Sequence, residues 1–190
     1  MLFAKERYMS SPVRDKNFVK VFVLYLLENI GYPLDYNTIN DVVIQDGYVG
    51  YFDFAPCFAE MLEDGIVLEI KDEDGTYKYM ASNKGSSIAE NLSGDILSEI
   101  RDRSLKSALR LLSLKKRGAE LHFSREGEEN GNGILVTCEV TEHGKTVYKT
   151  TLHVDSEARA EKIHENFIEN PEVILRGTLA LLSGDVNFIF

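Results

Sequence analysis

The segment "KNFVKVFVLYLLENI", residues 16–30, constrains this chain more than any other stretch. Asp15 ahead of it can cap a helix, and Gly31 with Pro33 behind it stop one. Phe18, Val19, Val21, Phe22, Val23, Leu24, Leu26, Leu27 and Ile30 distribute apolar groups around the whole circumference of that helix. A helix that is apolar on every side must be covered on every side. The segment is therefore either the central helix of a core or half of a dimer interface.

A second helix is expected from its cap Asp35, with Ile39, Val42 and Val43 inward. Asp53 reads as the cap of a third, "FAPCFAEMLED", with Pro56 in its first turn, where a missing N–H costs little. Its apolar stripe is Phe54, Phe58, Met61 and Leu62, and Gly65 ends it. The runs "IVLEI" and "TYKYMA" then form a hairpin around "DEDG", where Gly75 supplies the positive φ of a tight turn. Ser82 caps the next helix, and Gly85 in its first turn lets that helix lie close to the hairpin. A long helix is expected over about 95–117, closed by Gly118, with Ile100, Leu105, Leu109 and Leu112 inward. Three strands follow, "AELHFSR", "GILVTCEVTE" and "KTVYKTTLHV", the first two joined by the loop "EGEENGNG" and the last two by a His143–Gly144 turn. Asp155 opens a helix to about 169, and after Pro171 "EVILRGTLALL" runs on to Gly184. The fold class is α+β, in three parts: residues 1–93, a linking helix 94–118, and a C-terminal α+β part 119–190 with a three-stranded antiparallel sheet packed with helices.

Charge separates these parts. Residues 1–93 carry 8 Lys+Arg and 15 Asp+Glu, residues 94–118 carry 7 and 3, and residues 119–190 carry 6 and 13. Only the middle part is basic, whereas a domain built to grip nucleic acid is usually basic as a whole. The longest apolar run, "VFVLYLL", falls well short of the roughly 18 residues of a membrane span, and the first residues do not resemble a secretory signal. Cys57 and Cys138 stand far apart with no CxxC pair, which suits a reducing cytoplasm.

The element order over 16–92, and above all "YMASNKGSSIAENL", resembles the winged helix-turn-helix of PadR- and MarR-like bacterial transcriptional regulators. The matching positions are Tyr79, Ser82, Gly85 and Leu92. The whole chain resembles a small bacterial family of unknown function that joins a winged helix to a C-terminal α+β domain. The resemblance implies a transcriptional regulator that binds DNA, acting as a homodimer. The residues depart from that pattern where DNA would be read. Base edges are read by Arg, Lys, Asn or Gln, and phosphates by cations and hydroxyls. The outer face of the third helix offers Ala55, Pro56, Ala59, Glu60 and Glu63, and the hairpin tip holds Asp72, Glu73 and Asp74 between Lys71 and Lys78. The other expectation is thus an interaction module that keeps the winged-helix scaffold and binds protein.

Arg103, Lys106, Arg110 and Arg117 fall within one sector of the long helix, so they, with Lys71, Lys78 and Lys84, are the candidate contacts for nucleic acid or an acidic partner. A solvated helix face is the plainer reading of that stripe. His122, His143, His153 and His164 occur singly without metal-ligand spacing, no P-loop lysine follows the glycines of "EGEENGNG", and no GxSxG elbow is present. Neither catalysis, a metal nor a cofactor is expected. Tyr48, Tyr51 and Phe52 read as core or staple packing ahead of the third helix rather than a ligand cage, and Cys57 as a small core residue. The apolar ends "MLF" and "FIF" add to the expectation of a homodimer.

Overall fold

The computed structural model describes residues 15–72, 74–127 and 133–185. Glu73, most of the "EGEENGNG" loop and the apolar ends "MLF" and "FIF" lie outside the described residues. Among those described, seven α-helices and two antiparallel sheets give a mixed α+β fold, and the chain divides into two compact units, Met1–Leu111 and Leu112–Phe190.

In the first unit, α1 (Lys16–Ile30) begins at Asp15, whose carboxylate accepts the Asn17 N–H, and ends at Gly31 with φ of 76°. Val19, Phe22, Val23 and Leu24 are completely buried, and Val21, Leu26, Leu27 and Ile30 nearly so. α1 is the central core helix of this unit, and its circumference is consumed within one chain. Around it stand α2 (Tyr36–Ile44), α3 (Tyr51–Glu63), the hairpin β1 (Val67–Lys71) with β2 (Tyr77–Ala81), and α4 (Asn83–Leu92). Asp35 caps α2 as expected, accepting the Thr38 N–H at 2.8 Å.

The start of α3 corrects the sequence reading. Its cap is Gly50, and Asp53 lies in the first turn. The Asp53 carboxylate comes back over Gly50, within 3.4 Å of where a Cβ would stand, so it offsets the positive helix end rather than starting the helix. Pro56 therefore falls in the second turn, and the Phe52 carbonyl loses the N–H a helix would give it. That carbonyl belongs to a residue 88% exposed, so water can replace the bond.

The hairpin pairs Val67 with Ala81 through Lys71 with Tyr77. Gly75 has the anticipated positive φ, 86°. One more backbone pairing involves Leu34, between α1 and α2: its N–H reaches the Tyr79 carbonyl at 3.0 Å and its carbonyl receives the Tyr79 N–H at 2.7 Å. Ser82 caps α4 on the Gly85 N–H at 3.1 Å while its own hydroxyl donates to the Gly65 carbonyl at 2.8 Å. Gly85 sits against Ile66 so tightly that an added Cβ would meet the Ile66 carbonyl oxygen at 2.1 Å.

A single 3-10 turn, Ser93–Asp95, leads to α5 (Ser98–Lys116), in which the boundary between the units falls. Of the residues expected inward, Leu112 is buried, Ile100 and Leu105 are half-buried, and Leu109 is exposed. Ser104 and Ala108 are completely buried, Ser107 is 5% exposed, and Leu109 is 49% exposed. Ser107 donates to Asp46 at 3.0 Å.

The second unit is a meander of β3 (Ala119–Gly127), β4 (Ile134–Glu142) and β5 (Lys145–Val154), in spatial order β3-β4-β5. His143 and Gly144 both have positive φ, 49° and 75°, the geometry of a two-residue type I′ turn. One face of the sheet buries Val136, Cys138, Val140 and Val154 against Ala160 and Phe167 of α6 (Glu157–Glu169). The cap of α6 is Ser156, not Asp155, which instead pairs with Arg159 at 3.0 Å. Pro171 opens α7 (Pro171–Ser183) at the position where a helix tolerates it, and Gly184 closes it.

Candidate interaction surfaces

The face of α3 turned away from α1 is set by the alternation of buried and free positions along the helix. Phe54, Cys57, Phe58 and Met61 point inward, which leaves Phe52, Ala55, Pro56, Ala59 and Glu63 on the opposite stripe at helical spacing. Phe58 is fixed from three sides, stacking edge-on with Tyr36 and Tyr79 and tilted against Phe54. With that inner set locked, Phe52 stands out at 88% exposure and Tyr51 at 50%. The expectation that Tyr48, Tyr51 and Phe52 pack together as core holds only for Tyr48, which meets Phe22 edge-on. Phe52 is the surface feature that sequence patterning missed.

The C-terminal end of α3 is acidic and partly neutralised. Glu60 takes Lys16 and Lys20, and Asp64 takes Lys20 at 3.1 Å. Hydrogen bonds from Lys16 and Lys20 hold the Glu60 carboxyl below the usual carboxylate range. Burial raises the pKa of the Cys57 and Cys138 thiols, so both stay protonated and unreactive at neutral pH.

At the hairpin tip the acids have structural work. Asp74 accepts the Thr76 hydroxyl at 2.6 Å and the Thr76 N–H at 3.0 Å, which holds its pKa down. Asp72 pairs with Lys78, raising that lysine's pKa. Lys71 lies 5.8 Å from the Tyr77 ring centre. Of the two lysines expected to reach toward phosphates, one is thus bound to a carboxylate and the other lies over a ring. Lys84, at the start of α4, is exposed and donates to the Asp64 carbonyl at 3.1 Å.

The four residues of the cationic stripe are divided between the two units. Arg103 and Lys106 are exposed and Arg110 is half-buried, all on α5 within the first unit. Arg117 lies past the end of α5 in the second unit, where it contacts Glu172 at 3.1 Å and Glu142 at 3.7 Å. Its charge is already matched. Of the residues singled out for structural roles, Gly75 has its positive φ, Ser82 accepts the Gly85 N–H, Gly85 lies against Ile66, and Asp53 lies in the first turn of α3 rather than at its cap. Among the described residues there is no cluster of three or more metal-ligating side chains, and no helix long and apolar enough to cross a membrane.

A model of a family described as a domain of unknown function, DUF4364, matches residues 19–182. The chain belongs to the DUF4364 family. No curated protein matches it. The DUF4364 match runs from α1 to the last turn of α7, so both units belong to the family's shared region.

Proposed function

We propose that residues 16–92 form a winged helix, and that the chain is a regulator of the winged-helix transcription-factor type which meets its target through protein contact at the α3 face rather than by reading bases. The scaffold reading is supported by the Leu34–Tyr79 pairing, which adds a one-residue third strand beside the hairpin in the order helix, strand, helix, helix, strand, strand. The observation that carries the mode of contact is the outer stripe of α3: Phe52, Ala55, Pro56, Ala59 and Glu63 contain no cation and no amide. An exposed aromatic ringed by small apolar residues resembles the anchor of a protein interface. Carboxylates at the same place would meet DNA phosphates as like charges.

The test is a photo-crosslinking residue at position 52, run beside binding of random-sequence duplex DNA. The expected result is a specific protein adduct that Ala59→Glu abolishes, with no duplex binding at physiological salt. Tight duplex binding lost on altering Tyr51 or Ala55 would overturn the reading.

A second reading, direct association with DNA, is favoured by the basic segment 94–118. It would work through Arg103, Lys106 and Arg110, and reversal of Arg103 and Arg110 should then abolish binding. We further propose a cytoplasmic homodimer without catalytic activity. The burial of α1 removes one reason for dimerisation, but α7 supplies another, with Leu179, Leu181 and Leu182 at 59%, 61% and 83% exposure.

A further inference from the structure

A groove in the first unit runs beside α1 and α4 and ends at the C-terminus of α3. It holds about 850 Å³, within the range of sites that enclose a small molecule. Its floor is apolar, made by Val21, Leu24, Ile66 and Ile96, each no more than 8% exposed, with Phe18, Ile88 and Leu92 as walls. The rest of the lining is polar: Asp15, Asn17, Lys20, Asp64, Lys84 and Asp95.

Part of the charge in the lining is committed. Lys20 is shared by Glu60 and Asp64; Asp15 accepts both the backbone and the side-chain N–H of Asn17 at 3.3 Å, neutral donors that leave its charge in place. Lys84 differs. Its ammonium donates to a neutral acceptor, the Asp64 carbonyl, and among the described residues it has no carboxylate partner. An ammonium carries three donors, so two remain for a ligand. Lys84 also lies in the first turn of α4, where the helix contributes partial positive charge. A second lining carboxylate without a cationic partner among the described residues, Asp95, lies beyond Leu92 at the other end of α4. From Lys84 to Leu92 the helix advances about 12 Å, and Ile88 stands between them.

We propose that this groove binds a small amphipathic anion: an unbranched apolar chain lying along Ile88 and Leu92, with a terminal carboxylate on Lys84. The apolar floor supplies affinity without directional demands, while Lys84 sets polarity, since the opposite orientation would bring the carboxylate against Asp95. The Asp64 carboxylate, on the residue whose carbonyl Lys84 holds, is already paired with Lys20, so a cationic head group there would meet Lys84 as a like charge. This site is independent of the winged-helix reading, because it uses neither the α3 face nor the hairpin.

The probe is decanoate, below its micelle concentration, displacing the fluorescent anion anilinonaphthalene sulfonate. Decyltrimethylammonium and decanol serve as cationic and neutral competitors. Decanoate should displace the dye saturably, at least tenfold more effectively than the cation. Lys84→Glu should weaken decanoate tenfold or more, Lys84→Arg should retain it, and Ile88→Asp should abolish it. Circular dichroism melts check that each variant folds; Lys84 is exposed, so its variants should. Phe52→Ala and Leu182→Ser control for dye on the other apolar surfaces and should change nothing. Equal competition by the cation, indifference to Lys84→Glu, or dye binding lost only in Leu182→Ser would each overturn the proposal.

Discussion

Gly85→Ala should destabilise the first unit, although on an exposed helix the same change stabilises. Helix propensity alone favours Ala over Gly by about 1 kcal/mol. Here the new Cβ would stand 2.1 Å from the Ile66 carbonyl oxygen and 2.9 Å from Leu24 Cδ2. Relief requires α4 and the Ile66 backbone to separate by roughly 1 Å, a repacking that costs about 1–3 kcal/mol. The same carbonyl accepts the Ser82 N–H at 3.0 Å, and the Gly85 N–H is held by the Ser82 hydroxyl at 3.1 Å. Weakening both adds about 1 kcal/mol each. The net expectation is a loss of about 2–4 kcal/mol, larger for Gly85→Val. Urea unfolding followed by circular dichroism measures it, the chain having no tryptophan. A neutral or stabilised Gly85→Ala would refute the close approach of α4 to the hairpin.

Ser82→Ala removes an acceptor at the start of α4 and a donor to Gly65, so it should cost about 1–2 kcal/mol in the same assay. Phe52→Ala should leave stability within about 0.5 kcal/mol of the parent in the same urea assay, as expected for an exposed site; a large drop in stability would show that the ring is structural. Glu60, Asp74 and Glu139 all have pKa values lowered by hydrogen bonds in the folded chain, from Lys16 and Lys20, from Thr76, and from Thr146 and Lys149. Their stabilisation should be complete above the unfolded carboxylate range of about 4 and fade as pH falls through the lowered folded values. Urea midpoints from pH 7 to acid should trace that loss, and Glu60→Gln should flatten part of it. Sedimentation at micromolar concentration should give about twice the 21.5 kDa chain mass, and Leu179→Glu with Leu182→Glu should return a monomer.

Features written in strong local chemistry were legible in the sequence. Asp15, Gly31, Gly75, Ser82 and the pair His143–Gly144 each act within a few residues, so their types announce their roles. The start of α3 was not legible because Gly50 caps without a side chain, leaving Asp53 as the nearest polar residue to mistake for the cap. The inner face of α5 was read only in part: Leu112 is buried as its type announces, whereas Ser104, Ser107 and Ala108 are small residues whose burial no apolar pattern advertises. Leu34 pairs as a single residue, and one residue has no period. Of the candidate site residues, Lys78 and Arg117 looked free in the sequence because their partners Asp72, Glu142 and Glu172 become neighbours only through the hairpin turn and the packing of the second unit. Phe52 escaped notice since an aromatic residue among aromatics reads as core until the helix phase is known.

The Leu34–Tyr79 pairing also governs how the first unit opens. It ties the end of the α1 turn to the middle of β2, so that everything from Asp35 to Lys78, including α2 and α3, becomes a closed loop. Closing a loop of that length costs about 3 kcal/mol of chain entropy beyond a constant, and the two short hydrogen bonds cannot offset that alone. They persist because the core inside the loop is already packed. Their amide protons therefore report on the core itself: those of Leu34 and Tyr79 should exchange with solvent together, at the rate of the whole unit's unfolding, while the outer strand β1 exchanges sooner by fraying.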